Sequence, residues 1–395
     1  MGGGLMQLVA YGAQDIYLTG NPQITFWKVV YRRCTNFAIE SVEQTFMGNA
    51  KPGSRATATI SRNGDLVSNC VLQIDANQED ANGAYTDGGM HALVESVEVE
   101  IGGQKIDKHY SAWLQIWNEL SNAHFGPQTD DSAPSVSGYG KLVGTLLDFN
   151  DTETHYIPLV FWFNRNPGLA LPLIALQYHE VKFNFQFAAA TEISKNNTKA
   201  PDITSIKLFV DYIYLDTEER RRFAQQSHEY LIDQVQYTGA VSRTAAQNAS
   251  QSLRLDFNHP CKELIWVERQ TTRNTTKGFP TDFVQIGGTS GSTALLQLNG
   301  HDRFAKRPMN YFTRVQPLQH HTNVPYGDRI GVYSFGLRPE DHQPSGTCNF
   351  SRIDNATLQL TLAHANDAAN ELQVYATNYN VLRIMSGMGG LAYSN

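Results

Sequence analysis

Charge is scarce in this chain. Asp, Glu, Lys and Arg together make up 17% of the residues, where about a quarter is usual. The formal net charge is −7. A protein that coats nucleic acid needs excess Lys and Arg, because phosphate neutralisation supplies most of the affinity. Direct nucleic-acid binding is therefore not expected. The one dense basic cluster, Arg220, Arg221 and Arg222, follows Glu218 and Glu219, so its charge largely cancels. Cysteine is scarce too. Cys34, Cys70, Cys261 and Cys348 lie far apart with no C-x-x-C, which argues against a thiolate zinc site and fits buried free thiols in a reducing compartment. Long hydrophobic runs are missing. The densest, IPLVFWF at 157–163, is too short to span a bilayer and contains Pro158. The opening MGGGLMQLVAYGAQ lacks the basic patch and apolar run of a signal peptide, so synthesis in the cytosol is expected. Met6 stands where a myristoylation signal carries a small residue.

Catalytic motifs are also missing. There is no G-x-S-x-G elbow and no Walker A loop. Gly387 to Ala392 fits G-x-G-x-x-A in form, but too little chain follows for the helix that a dinucleotide site needs. His320 and His321 are adjacent; on a strand they would point to opposite faces and could not share a metal. His179-Glu180 has the same problem, and no H-x-H pair occurs. The sequence thus offers no catalytic residue, no metal site and no cofactor site. Asn-x-Ser/Thr sequons include those at Asn150, Asn196, Asn248, Asn274 and Asn355. Asn355 leads into a strand pattern and reads as structural; Asn196, Asn248 and Asn274 are the candidate glycosylation sites.

What the chain does have is short strands and turns. Apolar residues reach 41% and aromatics 11%, with 31 Gly and 15 Pro. At 395 residues the length suits two domains. ATATISR (56–62) alternates and runs into Asn63-Gly64, a hairpin signal, before LVSNCVLQI (66–74). VESVEVEI (94–101) alternates and meets Gly102-Gly103. HYIPLVFWF (155–163), EVKFNFQF (180–187) and SIKLFVDYIYLD (205–216) read as further strands. YSAWLQIWNEL (110–120) sets Trp113, Ile116, Trp117 and Leu120 at helical spacing, which predicts one short amphipathic helix. TEERRRFAQQS (217–227) reads as a helical connector capped by Thr217, with Glu218 and Glu219 in its first turn. His228 then begins a new strand.

The second half repeats the first in outline. Glu100-Ile101-Gly102-Gly103 corresponds to Gln297-Leu298-Asn299-Gly300, and His109-Tyr110 more loosely to Tyr311-Phe312. HYIPLVFWF, a Pro-rich loop and EVKFNFQF correspond to RIGVYSF, a Pro-rich loop and ATLQLTL. SIKLFVDYIYLD corresponds to ELQVYATNYNVLRI (371–384). The offset shrinks from roughly 195 to roughly 170 residues, as when a duplicated unit loses loop length. Two stacked all-β sandwiches follow; pattern alone does not separate a jelly roll from another sandwich.

The most distinctive stretch is Phe335 to Ala356, FGLRPEDHQPSGTCNFSRIDNA, a long polar loop between two strand patterns. Its PSGTCNFSRIDN resembles the signature of the major capsid proteins of nucleocytoplasmic large DNA viruses, the algal phycodnavirus type above all. Leu8 to Glu40, Asn166 to Lys182, Leu215 to Gln225, His228 to Ile232 and Asn378 to Asn395 are similar to the same family in the same order. The departures fall at about 191–203, 240–250, 270–295 and 364–370, in loop-like segments. The resemblance implies an all-β fold of two consecutive eight-stranded antiparallel jelly rolls with short helices in loops and at the connector. It implies an arm at 1–20, a first jelly roll at 21–216, a connector at 217–227, a second jelly roll at 228–387 and a tail at 388–395. It implies a structural protein of the virion capsid, not an enzyme, that forms homotrimers. These capsomers would meet one another, minor capsid and penton proteins, and an internal membrane, with synthesis and assembly in the host cytoplasm. On this reading Trp162, Phe163, Tyr326 and Phe335 are candidates for interface burial; the alternative places Trp162 and Phe163 in a domain core.

Overall fold

Strict alternation decides which side of a strand is buried. In VKFNFQF, Val181, Phe183, Phe185 and Phe187 are buried while Lys182, Asn184 and Gln186 between them stay partly exposed. The computed structural model describes residues 3–24, 26, 34–77, 88–122, 138–144, 153–194, 201–243, 250–270, 281, 283–288, 290–363 and 370–394. Residues 1–37 form a compact unit of their own. It carries α1 (Gly3–Val9) and α2 (Ile16–Thr19). Its described side chains include exposed Met6, Leu8, Val9, Tyr17, Leu18, Ile24 and Phe26.

The second unit, from Ala38 to the end, holds the sheets. Its first half begins with β1 (Phe37–Gln44), β2 (Phe46–Met47), β3 (Arg55–Thr59), β4 (Leu66–Asn77), β5 (Val94–Ile101) and β6 (Gln104–Tyr110). Two helices follow, α3 (Ser111–Ser121) and α4 (Gly138–Val143). Then come β7 (Glu153–Pro158), α5 (Trp162–Arg165), β8 (Leu171–Pro172), β9 (Val181–Phe187) and β10 (Asp202–Leu215). The connector is α6 (Thr217–Gln225). The second half opens with β11 (His228–Ser242), β12 (Ser250–Arg254), β13 (Pro260–Gln270), β14 (Thr293–Leu298), β15 (His301–Asp302) and β16 (Arg307–Pro308). It ends with α7 (Gln316–His320), β17 (Ile330–Ser334), β18 (Cys348–Asn349), β19 (Ala356–Thr361), β20 (Asn370–Met385) and β21 (Met388–Leu391).

Two sheets make each lobe. The first lobe has the orders β1-β10-β4-β7 and β2-β3-β9-β5-β6; the second has β11-β20-β13-β17 and β12-β19-β14-β15. Laid over each other, the orders coincide strand for strand: β10 with β20, β4 with β13, β7 with β17, β9 with β19 and β5 with β14. The duplicated segments of the sequence occupy these equivalent places. The twin turn signals are also equivalent. Ile101 pairs with Gln104 across Gly102 (φ 58°) and Gly103 (φ 85°), and Leu298 with His301 across Asn299 (φ 50°) and Gly300 (φ 81°). Positive φ at both central residues is the type I′ geometry that matches strand twist.

Several expectations need correction. Asn63-Gly64 does not close a hairpin, because β3 and β4 belong to opposite sheets. Neither residue has the positive φ of a type I′ turn. The Tyr212 ring packs on Gly64, where a Cβ would lie 2.7 Å from Tyr212 Cβ, and Tyr212 Oη donates to Ser61 O at 2.7 Å. The strand expected over 155–163 stops at Pro158. Asn164 then turns the chain: its Oδ1 accepts from Phe161 N and its Nδ2 donates to Ser68 O. The connector is capped by Asp216, whose Oδ1 accepts from Thr217 N at 2.8 Å, and not by Thr217. His320 and His321 sit at the end of α7, not on a strand.

The expected amphipathic helix is α3, and it has no exposed face. Every residue from Ser111 to Leu120 is buried. Leu114 joins the first-lobe core. Ala112, Trp113, Ile116, Trp117 and Leu120 pack instead on Ile265, Val267, Ile330, Val332 and Tyr375 of the second lobe. Gln115 and Glu119 are partnered: Gln115 Nε2 donates to Glu119 Oε1 at 2.9 Å, and Gln115 Oε1 lies 3.1 Å from His91 Nδ1. The helix thus belongs to one lobe by sequence and to both by packing. Trp113→Ala is expected to destabilise the chain by about 3–5 kcal/mol, read by chemical denaturation. A loss below about 1 kcal/mol would show that α3 does not tie the lobes.

Candidate functional site

Strand β13 joins most of what holds the lobes and the 335–356 loop together. Leu264 and Trp266 face the second-lobe core, while Ile265 and Val267 face α3. A register shift against β20 falls between Cys261 and Glu263. Such a bulge re-aims side chains. Here Cys261 stays in the core, and Lys262 reaches Asp233 on β11.

Lys262 is 2% exposed, and its Nζ lies 3.1 Å from Asp233 Oδ2 on β11. The same oxygen accepts from Arg165 Nη2 of α5 at 3.0 Å. Arg165 also lies over the Trp117 ring at 4.6 Å, and Lys262 over the Tyr379 ring at 4.9 Å. One carboxylate therefore holds a cation from each lobe. Burial pushes the Lys262 ammonium below its usual range, with Asp233 opposing. A second seam lies beside it. Asp107 Oδ1 accepts from Val235 N at 3.0 Å, and His109 Nε2 is 2.9 Å from Asp107 Oδ2. Gln234 Nε2 donates to Ile106 O. The Asp107–Val235 and Gln234–Ile106 bonds join β6 to β11, edge to edge across the lobes.

The next residue, Glu263, is fully buried and meets His321. His321 Nε2 lies 2.9 Å from Glu263 Oε2, and His321 Nδ1 lies 2.8 Å from Glu340 Oε1. Glu263 Oε1 accepts from Thr377 Oγ1 at 3.1 Å. Thr322 Oγ1 donates to Glu340 Oε2 at 2.5 Å. Burial alone would lower the imidazole; Glu263 and then Glu340 more than reverse this and hold it up at about 9. Burial alone would raise Glu263, but His321 and then Lys262 hold it below its usual range. This clamp fixes the loop, because Glu340 belongs to it. Phe335 N donates to Lys262 O at 2.8 Å at the loop's start, and Cys348 and Asn349 pair with β13 at its return.

This arrangement is built to hold, not to react. The imidazole has a carboxylate on each nitrogen and no free side. Burial pushes the Cys70 thiol up to about 12 and raises Cys261 as well. Among the described residues no group of three or more His, Cys, Asp or Glu is placed to hold a metal. The run Gly387 to Ala392 opens onto β21, a strand on the edge of β20, and not onto a helix.

The sequence-predicted surface residues divide. Trp162 and Phe163 lie in the first-lobe core at 2% and 0% exposure, so they do not serve an interface. Phe335 is half-buried against Tyr333 and Phe350. The side chain of Tyr326 and the sequons Asn150, Asn196, Asn248 and Asn274 lie outside the described residues. Asn355 is exposed, and its backbone and side chain are tied to Asn299 and Thr357 at the β14–β15 turn. The exposed apolar residues are others. Leu318 on α7 and Leu337 in the loop are each 72% exposed, and His320 Nδ1 lies 3.0 Å from Leu337 O between them. Sequence reasoning passed over both, since a lone Leu in a polar stretch does not announce which way it faces.

Two family models match the chain. Residues 25–216 match the major capsid protein N-terminus, and residues 219–390 match the large eukaryotic DNA virus major capsid protein. The chain is 52% identical to the major capsid protein of Pyramimonas orientalis virus and 45% identical to that of Paramecium bursaria Chlorella virus 1, over the full length of each. It is similar to the protein of the PBCV-1 virus capsid quasi-atomic model with a TM-score of 0.78 and 39% identity, covering 94% of this chain and 100% of that one. The Faustovirus major capsid protein shares the fold at a TM-score of 0.68 and 13% identity, over 95% of this chain and 94% of that one.

His321→Gln is expected to cost about 3–5 kcal/mol near neutral pH, because Glu263 is left buried without its cation. The loss should depend on pH. A group raised from 6.5 to about 9 contributes fully below 6.5 and fades as pH rises through about 9. Glu263, held low, sets the acid limit, where its contribution is lost as pH falls through its depressed value. Thermal midpoints of both proteins between about pH 6 and about pH 10 read this out. The gap should narrow at the alkaline end; a constant gap would make His321 a packing residue only.

Proposed function

The chain belongs to the large eukaryotic DNA virus major capsid protein family, and from that membership we propose that three copies close around a three-fold axis into a pseudo-hexagonal capsomer. Its role in the virion capsid is structural and not enzymatic. The fold is a double jelly roll.

The observation that carries the proposal is the matched strand order of the two lobes. Two lobes of one outline per chain, in three chains, give six similar corners. Such a unit tiles a flat lattice while every chain stays identical. The contacts within it are heterologous and cyclic, the first lobe of one chain meeting the second lobe of the next. The outline survives only if the lobes keep a fixed angle. Buried α3 and the shared Asp233 carboxylate supply that constraint. Obligate interfaces of this kind bury about 2,000–5,000 Å², and Leu318 with Leu337 offers an apolar contribution. On this reading residues 217–227 connect the lobe ending at 216 to the one starting at 228, and residues 1–20 act as an arm that packs beneath the capsomer or against a neighbour. Minor capsid and penton proteins and the membrane under the shell are its further neighbours, and host cytoplasm is where it is made and assembled.

Light scattering of the purified chain is expected to give three times 44.1 kDa. A clean monomer at every concentration tested would overturn the trimer. Deleting residues 1–18 should leave the trimer mass intact, less the deleted residues, but impair lattice formation seen by electron microscopy. Normal shells from that deletion would remove the arm from the mechanism.

A further inference from the structure

The return end of the 335–356 loop is held to β13 by two ladder pairs, Pro260 with Asn349 and Cys261 with Cys348. The second pair sets two free cysteines directly opposite each other. Facing residues of an antiparallel ladder have Cα atoms about 4.5–5.5 Å apart and side chains on one face. A disulfide spans Cα separations of about 4.4–6.8 Å. The backbone is therefore already at bonding distance. Both side chains share one environment: Cys261 is part of the second-lobe core, and Cys348 is half-buried against it. Cys261 Sγ makes only weak contacts, to Asn258 O at 3.6 Å and His259 O at 3.7 Å, which a side-chain rotation can give up. Cys70 is in the first-lobe core and Cys34 lies in the unit of residues 1–37.

We propose that Cys261 and Cys348 are a latent cross-strand disulfide site, closed by a low-molecular-weight disulfide such as oxidised glutathione. The more accessible Cys348 reacts first. Its thiolate attacks one sulfur of the glutathione disulfide, whose S–S bond breaks and releases one glutathione thiolate. Cys261, as thiolate, then attacks the Cys348 sulfur and displaces the second glutathione. The two protein thiols are oxidised, the glutathione disulfide is reduced to two thiols, and the two protons pass to the departing thiolates. Burial raises the Cys348 thiol while Arg303 partly opposes it, and burial raises Cys261 with Cys348 adding to the effect. Attack depends on the thiolate fraction, so closure is slow and the pair stays reduced in a thiol-rich compartment. The bond would add a covalent tie to the two ladder pairs at the loop's return. The opposite end is already held by Glu340 on His321.

The test incubates the full chain with excess oxidised glutathione, blocks remaining thiols under denaturing conditions, and maps peptides by mass spectrometry without reduction. The expected product is a Cys261–Cys348 linked pair, two hydrogens lighter than the reduced peptides, with a raised thermal midpoint that dithiothreitol reverses. Cys348→Ser should abolish both the link and the shift, and Cys348→Ala repeats the test if the Ser variant folds poorly; Cys34→Ser should leave both. Glutathione retained on Cys348 without closure, both thiols alkylated, or cross-links through Cys34 alone would each overturn the proposal.

Discussion

Strand β13 has no solvent face, and the rest of the molecule follows from that. Its residues from Cys261 to Val267 are all buried. One side is the second-lobe core; the other is covered by a helix that the first lobe supplies. Separating the lobes would bare Ile265, Val267, Ile330, Val332, Trp113 and Trp117 together. Each such side chain is worth about 1.5–3 kcal/mol of burial, so the lobes behave as one body. An ordinary antiparallel sheet leaves one face to water. Here both faces are buried, which is why alternation is lost and β13 reads as the continuous apolar run LIWV.

Burying both faces forces the charged residues on β13 to find partners. Lys262 and Glu263 are at 2% and 0% exposure. Each unpaired charge there would cost several kcal/mol. Their partners come from different elements: Asp233 on β11, and His321 just past α7. Asp233 also takes Arg165 from the first lobe. Apolar packing alone would tolerate a sliding of α3 along the sheet. The Arg165–Asp233 pair does not, since a displaced lobe takes Arg165 away from Asp233, which stays with Lys262 in the second lobe. The polar contacts therefore act on the angle between lobes more than on the strength of their attachment.

Much of this was legible in the sequence, and the parts that were not share a cause. Alternation located the strands, and Gly102-Gly103 and Asn299-Gly300 marked the duplication, because period and turn chemistry are local. Helical spacing found α3 from its Trp and Ile residues. It could not report that Gln115, Asn118 and Glu119 are buried as well, because that depends on contacts far along the chain. Asn63-Gly64 carried the right residues for a hairpin, yet Tyr212, far along the chain, sets that corner. The 335–356 loop stood out by composition. Its anchors did not, since His321, Glu263 and Glu340 carry no spacing that ties them together. Trp162 and Phe163 fitted either a loop interface or a domain core by sequence, and only the long-range packing assigns them to the core.

The two lobes agree where their sheets agree and differ where their insertions differ. After the first lobe's β5–β6 hairpin the chain runs into α3; after the second lobe's β14–β15 hairpin it reaches α7. These are equivalent places, the loose match of His109-Tyr110 with Tyr311-Phe312. The first insertion crosses to the partner lobe and fills the junction. The second stays at home: its end delivers His321 to Glu263 and so fixes the loop through Glu340. If both insertions crossed, they would compete for the one unfilled face of β13 and β17. If neither did, that face would be open to water and the lobes would be joined only by the β6–β11 seam, the Arg165–Asp233 pair and α6, whose half-exposed Arg220 reaches the buried Asp65. The common sheets give each chain two corners of one outline, while the unlike insertions let one lobe clasp the other.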